Sequence, residues 1–147
     1  MTCILQVTTG ISSLAFCKRD GIFSVMTRSR RPARRSDCPI AGALEVLGDR
    51  WTLLIVRDLL RGRSRYGEFA ESPEGIPTNI LAERLARLEA AGLVARTAYQ
   101  RHPPRYAYHL TPTGADLRPV LAALAGWGLR HVTGTKANPQ VLAALRG

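Results

Sequence analysis

Aromatic residues are scarce, at 6% of 147 residues, so any core must be mostly Leu, Ala, Val and Ile. Acidic residues are also few. Eleven Asp and Glu stand against 21 Lys and Arg, giving a formal charge of +10 and a pI near 10.7. That balance favours a polyanionic partner, nucleic acid first and an acidic membrane surface second. Arginine greatly outnumbers lysine, which fits anion recognition and equally fits a GC-rich genome. The three cysteines, Cys3, Cys17 and Cys38, show no Cys-x-x-Cys spacing and no nearby His pair. A zinc site or a secreted disulfide framework is therefore not expected, and a cytosolic protein with free thiols is. No apolar run approaches the ~20 residues that span a bilayer. His102, His109 and His131 are scattered. There is no Ser-His-Asp set, phosphate-cradling Gly loop or paired-carboxylate site, so neither an enzyme nor a bound cofactor or metal is expected.

What is present centres on Gly75–Val94, GIPTNILAERLARLEAAGLV. Leu81, Leu85 and Leu88 fall at i, i+4 and i+7 and make one apolar stripe of a helix. Asn79, Glu83, Ala86, Arg87 and Ala90 lie opposite. Gly92 stands where a left-handed residue ends a helix, and a β-like run begins at Leu93. Alone, this stretch reads first as an ordinary amphipathic helix on a small core. Its neighbours decide.

The length suits one domain with a tail. Residues 1–25 are mildly apolar but lack a basic start and a cleavage site. We expect the product to begin at Met26 and residues 1–37 to be an extension carrying an Arg-rich arm. That arm, TRSRRPARRSD over Thr27–Asp37, reads either as a phosphate-binding segment or as a solvated tail. The folded part opens at Cys38. Pro39 suits a first helical position, and Ile40, Ala43, Leu44 and Leu47 keep helical spacing. Asp49 can cap a strongly apolar helix over Arg50–Leu60. Ser64 can cap a short helix over Arg65–Glu71, and Ser72-Pro73-Glu74-Gly75 is a turn by composition. Asp58 and the other helical carboxylates read as caps or surface charges. Two short strands, Val94–Gln100 and Tyr106–Leu110, flank a basic loop over Arg101–Arg105. Thr111-Pro112 starts a long helix with a stripe of Leu117, Val120, Leu121, Leu124 and Trp127 and a bend at Pro119. Residues 132–147 form a C-terminal tail of uncertain order.

Helices, a helix with a polar front, a hairpin and a long helix follow the order of a winged helix-turn-helix: mainly α with a small β-wing. The matching pieces are CPIAGALEVLGDRWTLLIVRDLL, RSRYGEFAES, GIPTNILAERLARLEAAGLV, HPPRYAYHLTPTG and LRPVLAALAGWG. In order and spacing they resemble HxlR-type winged-helix transcriptional regulators, a branch close to the MarR group. The resemblance runs over residues 38–131. It implies a homodimer on a palindromic promoter site in double-stranded DNA, with one recognition helix per half-site. Two positions depart from the family pattern. Pro77 stands where a Ser usually precedes the recognition helix, and Asn79 where a Lys is usual. Asn prefers adenine in the major groove.

On this reading Thr78, Asn79 and Arg87 meet base edges or the groove, against the alternative of a solvated helix face. Arg63 and Arg65 hold phosphates, and Arg101, His102 and Arg105 are the wing's contacts. Apolar residues of the terminal helices, Ile40, Leu44, Leu117, Leu121, Leu124 and Trp127, make the dimer interface. Cys38 matches the N-terminal Cys by which many family members sense oxidants or electrophiles. A helix N-terminus with cations nearby favours a thiolate, although an unused thiol is an equal reading. The competing function is a non-specific basic nucleic-acid-binding or architectural protein. A thiol-reactive protein that uses the fold without DNA is the third.

Overall fold

The computed structural model describes residues 36–146. The expected start at Met26, the arm as far as Arg35, and Cys3 and Cys17 lie outside the described residues. In chain order come α1 (Pro39–Leu47), α2 (Thr52–Leu60), α3 (Tyr66–Ala70), α4 (Thr78–Ala90), β1 (Val94–Arg101), β2 (Pro104–Leu110), α5 (Pro112–Ala115), α6 (Arg118–His131) and α7 (Pro139–Arg146). The architecture is mainly helical, with one antiparallel pair of strands.

The core lies where α2, α3 and α4 meet. Ile55, Val56, Phe69, Leu81, Leu85 and Leu88 are all but completely buried there. The Leu stripe of α4 is thus the inward face that its spacing predicts. Asp49 does cap α2: its Oδ1 accepts from the backbone N–H groups of Trp51 at 2.8 Å and Thr52 at 3.0 Å. Arg84 of α4 pairs with the same carboxylate at 3.1 Å, so the cap also ties α4 to the start of α2. Burial works against ionisation of Asp49, but the hydrogen bonds from Thr52 and the backbone outweigh it and hold its pKa below the usual range.

Ser64 does not cap α3. The Glu68 carboxylate reaches back instead, accepting from the N–H groups of Ser64 at 2.7 Å and Arg65 at 2.9 Å. The hairpin takes the residues before the helix: the Ser64 carbonyl accepts from the Tyr108 N–H at 2.7 Å, and Arg65 bridges Ala107. Gly92, at φ +72°, turns the chain out of α4. The Leu93 N–H then closes on the Leu88 carbonyl at 3.0 Å.

β1 pairs with β2 from Val94↔Leu110 to Arg101↔Pro104, with a bulge between Ala98 and Gln100. The connection is shorter than the loop predicted over Arg101–Arg105, because Arg101 and Pro104 already pair. It consists of His102 and Pro103, joined by a cis peptide bond.

The long helix expected after Thr111 is two helices. Thr111 caps the first, accepting from the Gly114 N–H at 3.2 Å. α5 stops at Ala115, and Pro119 lies in the first turn of α6. Pro lacks an N–H and clashes with the carbonyl four residues back, so the helix restarts there instead of bending. Gly114 is forced by packing: a Cβ would stand 2.0 Å from the Leu93 carbonyl oxygen.

α6 carries two apolar faces where one stripe was predicted. Leu121 is buried in the chain's own core and Leu117 packs against it. Both therefore leave the expected dimer set, since a helix this close to α2 must give its inner face to the core. Val120, Leu124 and Trp127 point outward and stay about half exposed. α1 buries no residue at all, and Ile40 and Leu44 are 69% and 59% exposed. The residues read as a tail form α7, which returns Leu145 to the core.

Candidate nucleic-acid interface

The exposed face of α4 begins at its first turn. Pro77 occupies the cap position and Thr78 is the first helical residue, so no side chain caps this helix. Free N–H groups at a helix start suit anionic oxygens. Thr78, Asn79, Ala82, Glu83 and Ala86 are all exposed. The short side chains keep this face low, and Glu83 is drawn aside by Arg84 at 2.6 Å. The Tyr66 hydroxyl of α3 donates to the Thr78 carbonyl at 2.6 Å and holds the first turn in place. Arg87 leans the other way: its guanidinium donates to the Glu45 carbonyl of α1 at 3.3 Å.

The wing supplies the charge. Arg101, His102 and Arg105 are exposed at its tip. The Arg65 guanidinium lies 5.0 Å from the Tyr99 ring centre, and Tyr99 is the residue at the bulge. Arg65, Arg101 and Arg105 form no ion pair among the described residues. Arg96, further down the hairpin, stacks on Tyr106 at 4.8 Å and pairs with Glu89 at 3.0 Å.

Arg63 has a different fate from the one its sequence position suggested. Asp58, read from sequence as a surface charge, is completely buried at the end of α2. Its Oδ1 lies 2.8 Å from Arg57 and 3.5 Å from Arg61. Its Oδ2 lies 3.3 Å from Arg63 and accepts from the Ser72 hydroxyl at 2.9 Å. Arg63 also donates to the Glu68 carbonyl at 2.7 Å. Arg57 continues to Glu74, donating to Oε2 at 2.9 Å. That hydrogen bond is the main cause of a Glu74 pKa of about 2, well below the ordinary carboxylate value. The cluster clamps the turn between α3 and α4 onto α2. Its arginines neighbour Asp58 in sequence, but Ser72 and Glu74 come from a turn 14 and 17 residues further on and join only when α3 folds back. The available signal was an Asp among Ile55, Val56 and Leu59, on the apolar side of α2.

Cys38 is exposed and free, immediately before Pro39 of α1. Its N–H donates to the Ser36 hydroxyl at 3.0 Å. Among the described residues no three His, Cys, Asp or Glu are grouped to hold a metal ion. No helix there is long and apolar enough to cross a membrane.

A family model described as HxlR-like helix-turn-helix matches residues 46–136. An HTH-type transcriptional regulator of Synechocystis sp. is 37% identical over 87 residues, which are 59% of this chain and 64% of that relative. The matched stretch thus spans a little under two thirds of that protein. Two solved structures are also similar. The redox regulator HypR in its oxidized form has a TM-score of 0.59 and 32% identity, covering 64% of this chain and 97% of that one. The reduced transcriptional regulator YodB of B. subtilis has a TM-score of 0.56 and 32% identity, covering 67% and 98%. With an uncapped, exposed helix beside a basic wing already in view, the chain belongs to the HxlR-like helix-turn-helix family, made up of transcriptional regulators and not enzymes.

Proposed function

We propose that the protein binds a palindromic promoter site as a homodimer, each protomer setting α4 in a major groove and the wing on the flanking backbone. The observation that carries this reading is the exposed, low face of α4 standing beside exposed arginines that form no ion pair among the described residues. Thr78 and Asn79 meet base edges; Asn79 suits adenine through paired bonds to N6 and N7. Arg65, Arg101, His102 and Arg105 hold phosphates, which fix register without reading sequence. Arg63 and Arg87, engaged within the protein, assist from the border. The outward faces of α1 and α6, with Ile40, Leu44, Leu124 and Trp127, supply the dimer contact, because apolar area of that kind favours burial. The two α4 helices then lie about 34 Å apart to enter successive major grooves on one side of the duplex.

Likeness to a protein named as a redox regulator supports a second element. Cys38 adjoins α1, whose apolar face belongs to the dimer contact. Oxidation of its thiol to a sulfenate, a mixed disulfide or an intersubunit bond shifts DNA affinity through that contact.

The test is fluorescence anisotropy on the gene's own upstream DNA, against a scrambled duplex at the same salt. A regulator discriminates by about 10³-fold or more. Equal, salt-steep binding to both duplexes favours a non-specific architectural protein. An oxidant response unchanged by Cys38→Ser removes the sensor.

A further inference from the structure

The two ends of α4 are held differently. From Arg84 onward the helix has several polar ties. Arg84 pairs with Asp49 at 3.1 Å, Arg87 donates to the Glu45 carbonyl at 3.3 Å, and Glu89 pairs with Arg96 of β1 at 3.0 Å. Just beyond the helix, the Thr111 hydroxyl donates to the Gly92 carbonyl at 2.7 Å. The first turn has no side-chain cap, and Thr78 and Asn79 are exposed on it. Among the described residues, one hydrogen bond reaches that turn from another element: the Tyr66 hydroxyl donating to the Thr78 carbonyl at 2.6 Å. Ile76 and Leu81, at the two positions of a hydrophobic staple, are buried in the core and set how deeply the chain enters the helix. Apolar burial is non-directional, so it fixes depth better than tilt. A short hydrogen bond is directional and can fix tilt.

The residues just before Tyr66 hold the wing. The Ser64 carbonyl accepts from the Tyr108 N–H at 2.7 Å, and Arg65 bridges Ala107. Ala107 and Tyr108 lie two and three residues along β2 from Arg105. The Tyr66 ring is partly buried and packs against the core, so its hydroxyl is carried on a side chain with little room to move. Ser64–Tyr66 is therefore a short link from the wing to the first turn of α4.

We infer that Tyr66 is a positioning residue for base recognition. Its hydroxyl sets the first turn of α4 against the wing, so that Thr78 and Asn79 reach base edges while Arg101 and Arg105 rest on phosphates. The inference rests on the DNA-binding reading given above. Tyr66 acts through Thr78 and needs no contact with DNA of its own. Base-edge hydrogen bonds depend steeply on distance and angle. Phosphate contacts are largely electrostatic and carry no sequence information. Loss of the hydroxyl therefore lowers discrimination between sequences and spares the part of binding that is common to all of them.

The experiment compares the full chain with Tyr66→Phe, which removes one oxygen and keeps the ring on the core. Without DNA, amide exchange is followed at Leu81, whose N–H closes on the Pro77 carbonyl at 2.8 Å. It quickens by about three- to tenfold, the equivalent of one hydrogen bond, while Leu88 in the later turns is unchanged. In fluorescence anisotropy on the gene's own upstream duplex, affinity falls by about tenfold. On a scrambled duplex it stays within about twofold, with the same salt slope. In an Asn79→Ala background the same change costs no more than about threefold, because a contact it positions is already gone. A hydroxyl with only a structural role would loosen the turn and leave discrimination as it was. Unchanged discrimination in Tyr66→Phe thus overturns the inference, as does unchanged exchange at Leu81. So does an equal loss on both duplexes, or a full tenfold loss in the Asn79→Ala background. The wild type separates the two readings. A wild type without sequence preference fails the DNA-binding reading and takes this role with it. A wild type that discriminates, beside a Tyr66→Phe variant that discriminates equally, fails the inference alone.

Discussion

Arginine has two fates in this protein. At the end of α2, Arg57, Arg61 and Arg63 surround a fully buried Asp58 and are themselves mostly covered. At and beside the wing, Arg101 and Arg105 are exposed and Arg65 lies over the Tyr99 ring, and none of the three forms an ion pair among the described residues. Arg63 and Arg65, one from each group, are only two residues apart in sequence. A basic net charge therefore says little about which cations meet DNA. Carboxylates brought in by the fold decide, and what remains unpaired is the charge available to phosphate.

The largest break in that contrast is Asp58→Ala. It removes the hub and leaves three guanidiniums crowded at a desolvated site. Removing one partner of a buried ion-pair cluster costs about 3–5 kcal/mol. Urea unfolding should show a loss of that order, with DNA affinity falling because the α3–α4 turn loosens. Stability within about 0.5 kcal/mol of wild type would contradict the clamp.

Next is Asn79→Ala, which touches neither arginine group. It should cost about 1–3 kcal/mol on the operator and nothing measurable on a scrambled duplex. Equal loss on both would make Asn79 a backbone contact.

Arg105→Ala should do the reverse. Binding weakens about equally on all sequences, and the slope of log affinity against log salt falls by about one. Loss confined to the operator would assign Arg105 to base reading instead.

The smallest expected effect is on pH. Glu74 is held at about 2 by Arg57, below an ordinary value of 4.5. A carboxylate with a depressed native pKa contributes stability above its unfolded pKa and loses it as pH falls toward the native one. Unfolding midpoints should therefore drop between pH 4.5 and about 2, and Glu74→Gln should flatten that drop. An unchanged acid limb would place Glu74 outside the clamp.

The order of elements was legible because local rules set it. The Leu81–Leu85–Leu88 spacing, the Gly92 stop and the Thr111 cap all act within a few residues of themselves. Pro119 was also legible as an interruption, though not as a restart. The hub was not legible, because Ser72 and Glu74 reach Asp58 and Arg57 only once the α3–α4 turn has folded back onto α2. Phe69 of α3 likewise meets Tyr108 of β2 only after the hairpin has packed. The dimer stripe on α6 was half legible. Helical spacing showed that the helix is apolar, but only packing against α2 separates Leu121, which is covered, from Leu124, which is not.

The most direct measurement is the salt slope of duplex binding for two variants beside the wild type. One carries Arg65, Arg101 and Arg105 all changed to Gln; the other carries Arg61→Gln. The wing variant should lower the slope by about three, at slightly under one counterion per phosphate contact. The Arg61 variant should leave the slope unchanged and lower only the stability of the fold. A slope that falls with Arg61 and holds with the wing triple would contradict the division of arginines on which the interface rests.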